Sequence, residues 1–352
     1  MAAVQMRPVD RLPFWPKLDG AYLNAYPPGG GGLAALHEFI GSDDHVGMDS
    51  AVRDRGRLTS FEIRQDGSTR TRTWRTPFGE LAMGERFDAP SWSWHPMEFP
   101  VRTVADIEAL TAWYEDVEVV LDEAALAAAR EQAANADGRA VLAICTGTSA
   151  LMEWVQNLAG VENAHLLLYD YPDEVAALFE VMHQNLLRKT ALAAETSPGD
   201  LLYLNENTST TLISVTQYRG LCYPHLLQYA QVAARGGPMM VLHMCGHLRF
   251  LLGDLATLPV RAFEAFTTPT LGNTTLLDGR THCPDKCLIG GTNAMLWTQD
   301  AHTIIAAIEA GLDVLPHHRG IVVTSAGVMP PMCEPETIRE VAEWVRAYPA
   351  RM

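Results

Sequence analysis

From residue 138 onward the chain repeats one pattern: a short, almost wholly apolar run, polar residues at its end, then a longer helical stretch. The apolar runs are AVLAICTG (140–147), DLLYLNE (200–206), PMMVLHMCG (238–246), AFEAF (262–266), KCLIGG (286–291) and GIVVTSAG (320–327). Among the stretches between them are DEVAALFEVMHQNLLRKTALAAE, YPHLLQYAQVAARG and AHTIIAAIEAG, which read as helices. A strand that is apolar on both faces needs cover on both, and alternation with helices supplies it, as in a parallel sheet. Because polar residues gather at the C-terminal tips, the pattern predicts an α/β fold, a (β/α)8 TIM barrel with its chemistry at that rim. A doubly wound open sheet is the rival. No GxGxxG follows the first strand and no GxxxxGK[ST] occurs anywhere, which weakens a nucleotide-binding version of it.

The region before residue 138 reads as additions to that barrel. RPVDRLPFW ends in an apolar run that suits a first strand behind an N-terminal extension, and YPPGGGG (26–32) reads as a loop or hinge. Within 59–83, TSFEIR and TRTWRTPFGE flank the turn QDGS, which predicts a two-stranded hairpin inserted outside the main sheet. The stretch from Val101 to Asn135 reads as helical, with Asp106 placed to cap or charge an early turn. A chain of 352 residues, 48% apolar, fits one barrel domain over 1–352 better than a string of small modules.

Lys plus Arg total 26 against 42 Asp plus Glu, a formal net charge of -16. A field of that sign repels nucleic acid and anionic membranes. No apolar run approaches the roughly 20 residues that span a bilayer, and MAAVQMRPVDRLPFW lacks the layout of a secretory signal. A cytoplasmic protein is expected, with no nucleic-acid or membrane partner. Six cysteines (145, 222, 245, 283, 287 and 333) are too sparse for a disulfide scaffold, so each is a small core residue or a metal or redox group.

The sharpest local feature is His243-Met244-Cys245-Gly246-His247 at the end of the MMVL strand. In an extended strand residues two apart face one way, so His243 and Cys245 aim at one point while Met244 faces the other. Imidazole with thiolate suits zinc, and Gly246 lets the chain turn close by. The same triplet also arises as a packed cysteine beside a hydrogen-bonded histidine, so its place at a strand tip matters. A zinc site needs a further protein ligand. Cys333, in VMPPMC beyond the last strand, is one candidate, and Cys283 of THCPDKC another; Cys287 is expected at the bottom of the barrel. Glu206, at the tip of LLYLNE before Thr208, Ser209 and Thr210, can ligate metal or accept a substrate proton, or cap a helix. Glu264 and Asp170 are weaker candidates of the same kind, and His247 is a spare one. Trp15, Lys17, Asp19 and Tyr22 after the first strand, Asn205, and Trp94 in SWSWHP are candidates to line a substrate pocket, although aromatic runs also plug cores.

Read in order, RPVDRLPFW, FIGSDDHVG (39–47), VLHMCG (241–246), LGNT, CLIGG and GIVVTSAG followed by PPMCEPETI resemble the uroporphyrinogen decarboxylase superfamily. The resemblance implies a (β/α)8 barrel with a deep cleft at its rim. PFWPKLDGAY has no arginine where the decarboxylases carry carboxylate-binding ones, so the chain is more similar to the zinc- and corrinoid-dependent methyltransferases. That likeness implies zinc on His243, Cys245 and a distant cysteine. The cysteine's place is taken here by Val328, behind Ser325-Ala326-Gly327, which leaves Cys333 or Glu206 to complete the set. It further implies methyl transfer between a methyl ether or thiol and a corrinoid (methylcobalamin) on a partner protein. The alternatives are a decarboxylase or lyase on the same barrel, and a non-catalytic protein that binds a small molecule or a corrinoid protein. Donor, acceptor and oligomeric state stay open.

Overall fold

The computed structural model describes residues 1–27 and 32–352, so part of the YPPGGGG stretch lies outside the described residues. Eight strands run round a barrel in sequence order: β1 (Phe14–Trp15), β2 (Asp44–Met48), β3 (Ala140–Gly147), β4 (Leu201–Asn205), β5 (Met239–His243), β6 (Ala262–Phe266), β7 (Cys287–Gly290) and β8 (Ile321–Thr324). Every ladder between them is parallel, from β2·β3 round to β8·β1. Only β1 and β2 share none. There Asp43 bridges the gap: its N–H donates to the Phe14 carbonyl at 2.8 Å, and its carboxylate accepts from the Phe14 N–H at 2.8 Å and from Arg11 at 2.9 and 2.7 Å. The barrel is therefore nearly closed, with a seam bridged by the backbone and side chain of Asp43.

Alternation along the strands sorts residues into two layers. Ala143, Leu201, Tyr203, Val241, Ala262, Ile289 and Val322 form the barrel's inner core with Cys287, and Ala3 and Val4 of the N-terminal extension pack against them. Leu202, Leu204, Leu242, Phe263, Leu288 and Val323 face outward into the layer shared with the helices. Pro172–Thr196 is the longest helix, with Pro172 at its start and Asp173 and Glu174 in its first turn, where acidic groups suit the helix dipole. Tyr223–Ala233 and Ala301–Asp313 are the other two helices expected from the sequence.

Two expectations before residue 138 are revised, and one strand is added. The helical stretch is two helices, Val104–Asp116 and Glu123–Ala136, divided by the strand Glu118–Leu121, which pairs antiparallel with Val52–Arg55. The β-branched run in VEVVL favours the strand. Asp106 does cap the first helix, in a capping box with Thr103. The hairpin is the beginning of a four-stranded antiparallel meander, Ser60–Asp66, Thr69–Thr76, Gly79–Asp88 and Ser93–Glu98. Its Trp74, Leu81 and Met83 are buried, so two strands alone would have left that face uncovered. Strand β2 was not anticipated, because Asp, His and Gly in DHVGM are poor strand formers and only its neighbours in the barrel hold it extended.

Candidate active site

At the C-terminal rim the barrel opens into a cavity of about 630 Å³. Trp15, Lys17 and Asp19 reach it from the segment after β1, His45 from β2, Cys145 from β3, Tyr203, Asn205 and Asn207 from β4 and its loop, His243 from β5 and Glu264 from β6. The β4 alternation decides its own contribution. Tyr203 and Asn205 point inward, so Leu204 and Glu206 point to the helices.

Glu206 is consequently not part of the cavity. Its carboxylate is fully buried behind the barrel wall, where it accepts from the Ser149 N–H at 2.8 Å, the Ser149 hydroxyl at 2.5 Å and the Cys222 thiol at 3.7 Å. Burial lifts its pKa to about 7 against those hydrogen bonds. The weaker candidate, Glu264, is the one that meets His243. A register shift between Glu264 and Phe266, with Ala265 at φ 56°, bulges β6 at this point. His243 Nδ1 donates to one carboxylate oxygen and Lys17 Nζ, at 3.1 Å, to the other.

Burial alone would keep Glu264 protonated, but the charges of Lys17 and His243 bring its pKa down to about 2. Burial also works against a charged His243; the Glu264 carboxylate and hydrogen bonding to Cys245 and Glu264 outweigh it and raise the imidazole to about 9. Near neutral pH the cavity floor is thus a carboxylate held between an ammonium and an imidazolium. Lys17 is the only lysine or arginine among the described residues lining the cavity.

Cys245 lies against His243, as the two-residue spacing predicts, while Met244 is buried on the opposite side. Its thiol donates to Asn207 Oδ1 at 3.3 Å, and Asn207 Nδ2 donates to Gln156 Oε1 at 2.8 Å. The N–H groups of Glu206 and Asn207 both donate to the His243 carbonyl at 3.0 Å, clamping the ends of β4 and β5 together. Ser209 and Thr210 extend the clamp: Ser209 Oγ accepts from the His247 N–H at 3.0 Å, and Thr210 donates to the His247 carbonyl at 3.1 Å. Those hydroxyls join loops and do not line the cavity. Gly246 is required here, because a Cβ would sit 2.3 Å from the Thr208 carbonyl oxygen.

An aromatic wall completes the floor. Trp15 and His45 stack with centroids 3.8 Å apart, and Tyr203 meets His45 edge-on. Burial drops His45 to about 4 and lifts Tyr203 well above its ordinary value, so a neutral imidazole faces a phenol whose oxygen is 3.3 Å from Nε2. Below this wall lies a second cavity of about 280 Å³, bounded by Ala3, Val4, Val141 and Ile289.

Two pocket candidates fall elsewhere. Tyr22 is buried in the outer core beside Tyr26, and Trp94 sits in the meander against Phe87 and under Arg70. Cys333 is buried too, its thiol pushed up to about 12 by burial, and Cys283 donates to the Leu252 carbonyl at 3.7 Å in the outer layer. Neither reaches His243. Among the described residues no three of His, Cys, Asp and Glu are grouped to hold a metal ion. A catalytic zinc takes three protein ligands. The donors present do not fit that set, since Glu264 is engaged with Lys17 and His243 and Val328 stands where a third thiolate is implied.

A nearly closed parallel barrel with converging polar groups at its C-terminal rim defines the class of (β/α)8 proteins with a rim site. Residues 81–348, well over half of the chain, match the family model "Uroporphyrinogen decarboxylase (URO-D)", and the chain belongs to that family. A solved structure of a methyltransferase from Methanosarcina mazei superposes with a TM-score of 0.61 at 14% identity, covering 98% of this chain and 96% of that one, so the two share a fold. A B12-independent methionine synthase from Shewanella sp. W3-18-1, in complex with selenomethionine, superposes with a TM-score of 0.48 at 9% identity, over 89% and 85% of the two chains. No curated protein matches the sequence.

Proposed function

We propose that this chain moves a methyl group between a small organic molecule, a methyl ether or a thiol, and a corrinoid carried by a partner protein. Family membership supports the reading, as do the HxC pair and the fold shared with a protein described as a methyltransferase. The observation that carries it is the Lys17–Glu264–His243 chain lining a cavity of about 630 Å³, a size suited to a small molecule, with Cys245 hydrogen-bonded to His243 behind it.

With a methyl ether as donor, a reduced corrinoid on the partner would supply the electron pair for the methyl carbon, and His243 would hold the proton that the departing ether oxygen needs. The C–O bonding pair would stay on that oxygen, which would take its proton from the imidazolium of His243. Glu264 keeps the imidazole charged, and Lys17 keeps Glu264 ionised. Trp15 and His45 offer a flat apolar surface to an aryl or alkyl group, while Asn205 and Asn207 can orient its polar atoms. The donor set does not fit a three-ligand zinc, so the proton on His243 takes the place of a Lewis acid in this reading.

The test is to incubate the purified chain with chemically reduced free cobalamin and a panel of methyl ethers and methyl thioethers, following methylcobalamin by absorbance. Transfer should occur with one class and be lost in His243→Ala. No transfer from any donor, together with release of carbon dioxide from a carboxylated substrate, would overturn the reading in favour of a decarboxylase. Near-stoichiometric zinc, lost in Cys245→Ala, would replace proton donation by Lewis-acid chemistry.

A further inference from the structure

The meander has two edges, and they are not alike. The strand Ser93–Glu98 carries Pro96 and a register shift against its neighbour, both of which blunt an edge against further pairing. The other edge, Ser60–Asp66, is regular over seven residues, exposed at every one, and paired only with Thr69–Thr76. It presents Phe61 and Ile63, 43% and 53% exposed, on one face, and Glu62 and Arg64 on the other. Arg64 has no ion-pair partner among the described residues, whereas Glu62 holds Arg75 at 2.8 Å. An unblunted, partly apolar edge of this length is a template for another strand.

We infer that the occupant is a second copy of this chain, its Ser60–Asp66 strand added antiparallel about a two-fold axis through Ile63. Directly opposed residues in an antiparallel pair point to the same face, so a two-fold pairing of this edge must centre on a residue. Centring on Glu62 sets it against its own copy, and centring on Arg64 does the same to that residue. Like charges directly opposite are destabilising. Centring on Ile63 sets Ile63 against Ile63, Phe61 against Gln65, and Glu62 against Arg64 in both directions. Centring on Phe61 or Gln65 pairs only the three residues at one end of the strand, so length and charge together select the Ile63 register, and in it the unpaired Arg64 gains a carboxylate. Glu62 would then lie between two guanidinium groups, as Glu85 of the same sheet already does with Arg70 and Arg72 at 2.6 and 2.8 Å. Two meanders joined in this way make one eight-stranded sheet. This pairing is independent of what the barrel cavity binds.

Sedimentation velocity on the full chain over a concentration series tests it. The wild type should reach a dimer. Glu62→Arg and Arg64→Glu, each placing like charges opposite twice over, should weaken it by about tenfold or more, roughly 1.4 kcal/mol. The double variant Glu62→Arg with Arg64→Glu should return to within a few-fold of wild type. Hydrogen exchange should show amides of 60–66 becoming protected as concentration rises. A wild-type chain that stays monomeric, a dimer indifferent to the single changes, or single losses that the double change does not rescue would each overturn the inference.

Discussion

His243 Nδ1 donates to the carboxylate of Glu264, a residue buried to 1% exposure. That bond fixes the ring's orientation as carboxylate partners of working histidines generally do, and the ring also hydrogen-bonds Cys245. What His243 can do in the cavity is therefore set by Glu264, which Lys17 in turn keeps ionised.

Replacing Glu264 by Gln removes the charge that offsets burial of His243. The imidazole then follows its burial and loses its proton at lower pH. Methyl transfer should fall by roughly 10²–10⁴-fold, the usual worth of a positioned proton donor. The pH at which activity is lost should move down from about 9. An unshifted pH–rate profile would remove His243 from the proton-donating role.

The same pair shapes stability. Glu264, brought to about 2 from an ordinary 4.5, contributes stability that is complete above the ordinary value and is lost as pH falls through about 2. His243, raised to about 9 from 6.5, contributes stability that is complete below 6.5 and is lost as pH rises through about 9. Their joint contribution is greatest between 4.5 and 6.5. Urea denaturation across pH should show that maximum in wild type and a flatter curve in Glu264→Gln.

Gly246→Ala tests the clamp between the β4 and β5 loops. The added methyl meets backbone, the Thr208 carbonyl oxygen and Ser209 Cα, which cannot rotate away. A stability loss of about 1–3 kcal/mol is expected. Activity should fall further than stability explains, because Cys245 and Asn207 are carried on the two loops that must part. Full activity in a folded Gly246→Ala variant would show that their spacing does not matter.

Glu206 should behave as a structural residue. Glu206→Gln resembles the protonated carboxyl that burial favours and should keep activity within a few-fold. Glu206→Ala leaves the Ser149 N–H and hydroxyl without acceptors behind the wall and should cost about 1–3 kcal/mol in denaturation experiments. A collapse of activity in the Gln variant, with stability retained, would restore Glu206 to the chemistry.

The barrel was legible because apolar runs alternating with helices leave few other architectures, and the six later strands fall inside the expected segments. The convergence of His243 and Cys245 followed from the same two-residue period. That period, applied to LLYLNE, also turns Glu206 outward once Tyr203 is placed inside, so a place at the strand tip is not sufficient to put a side chain in the cavity. Glu264 was harder, since its approach to His243 comes with a bulge at Ala265, and nothing in AFEAF announces a residue with positive φ. Asn207 and His45 escaped notice for a different reason: each is held by groups distant in the chain, Cys245 and Gln156 for one, Trp15 and Tyr203 for the other.

Strand ladders spread a load over many bonds, and Asp43 does not. Where β1 and β2 face each other, the circumference of the barrel is fastened by Asp43, whose backbone and carboxylate grip Phe14 and Arg11, and by the Trp15–His45 stack. Lys17 stands beyond one bank of this join and His45 on the other. Were the banks to part there, no parallel ladder would unzip, and the reach of the Lys17 ammonium to Glu264 would change. The fastening of the barrel and the tuning of its buried acid are in that sense one mechanical element.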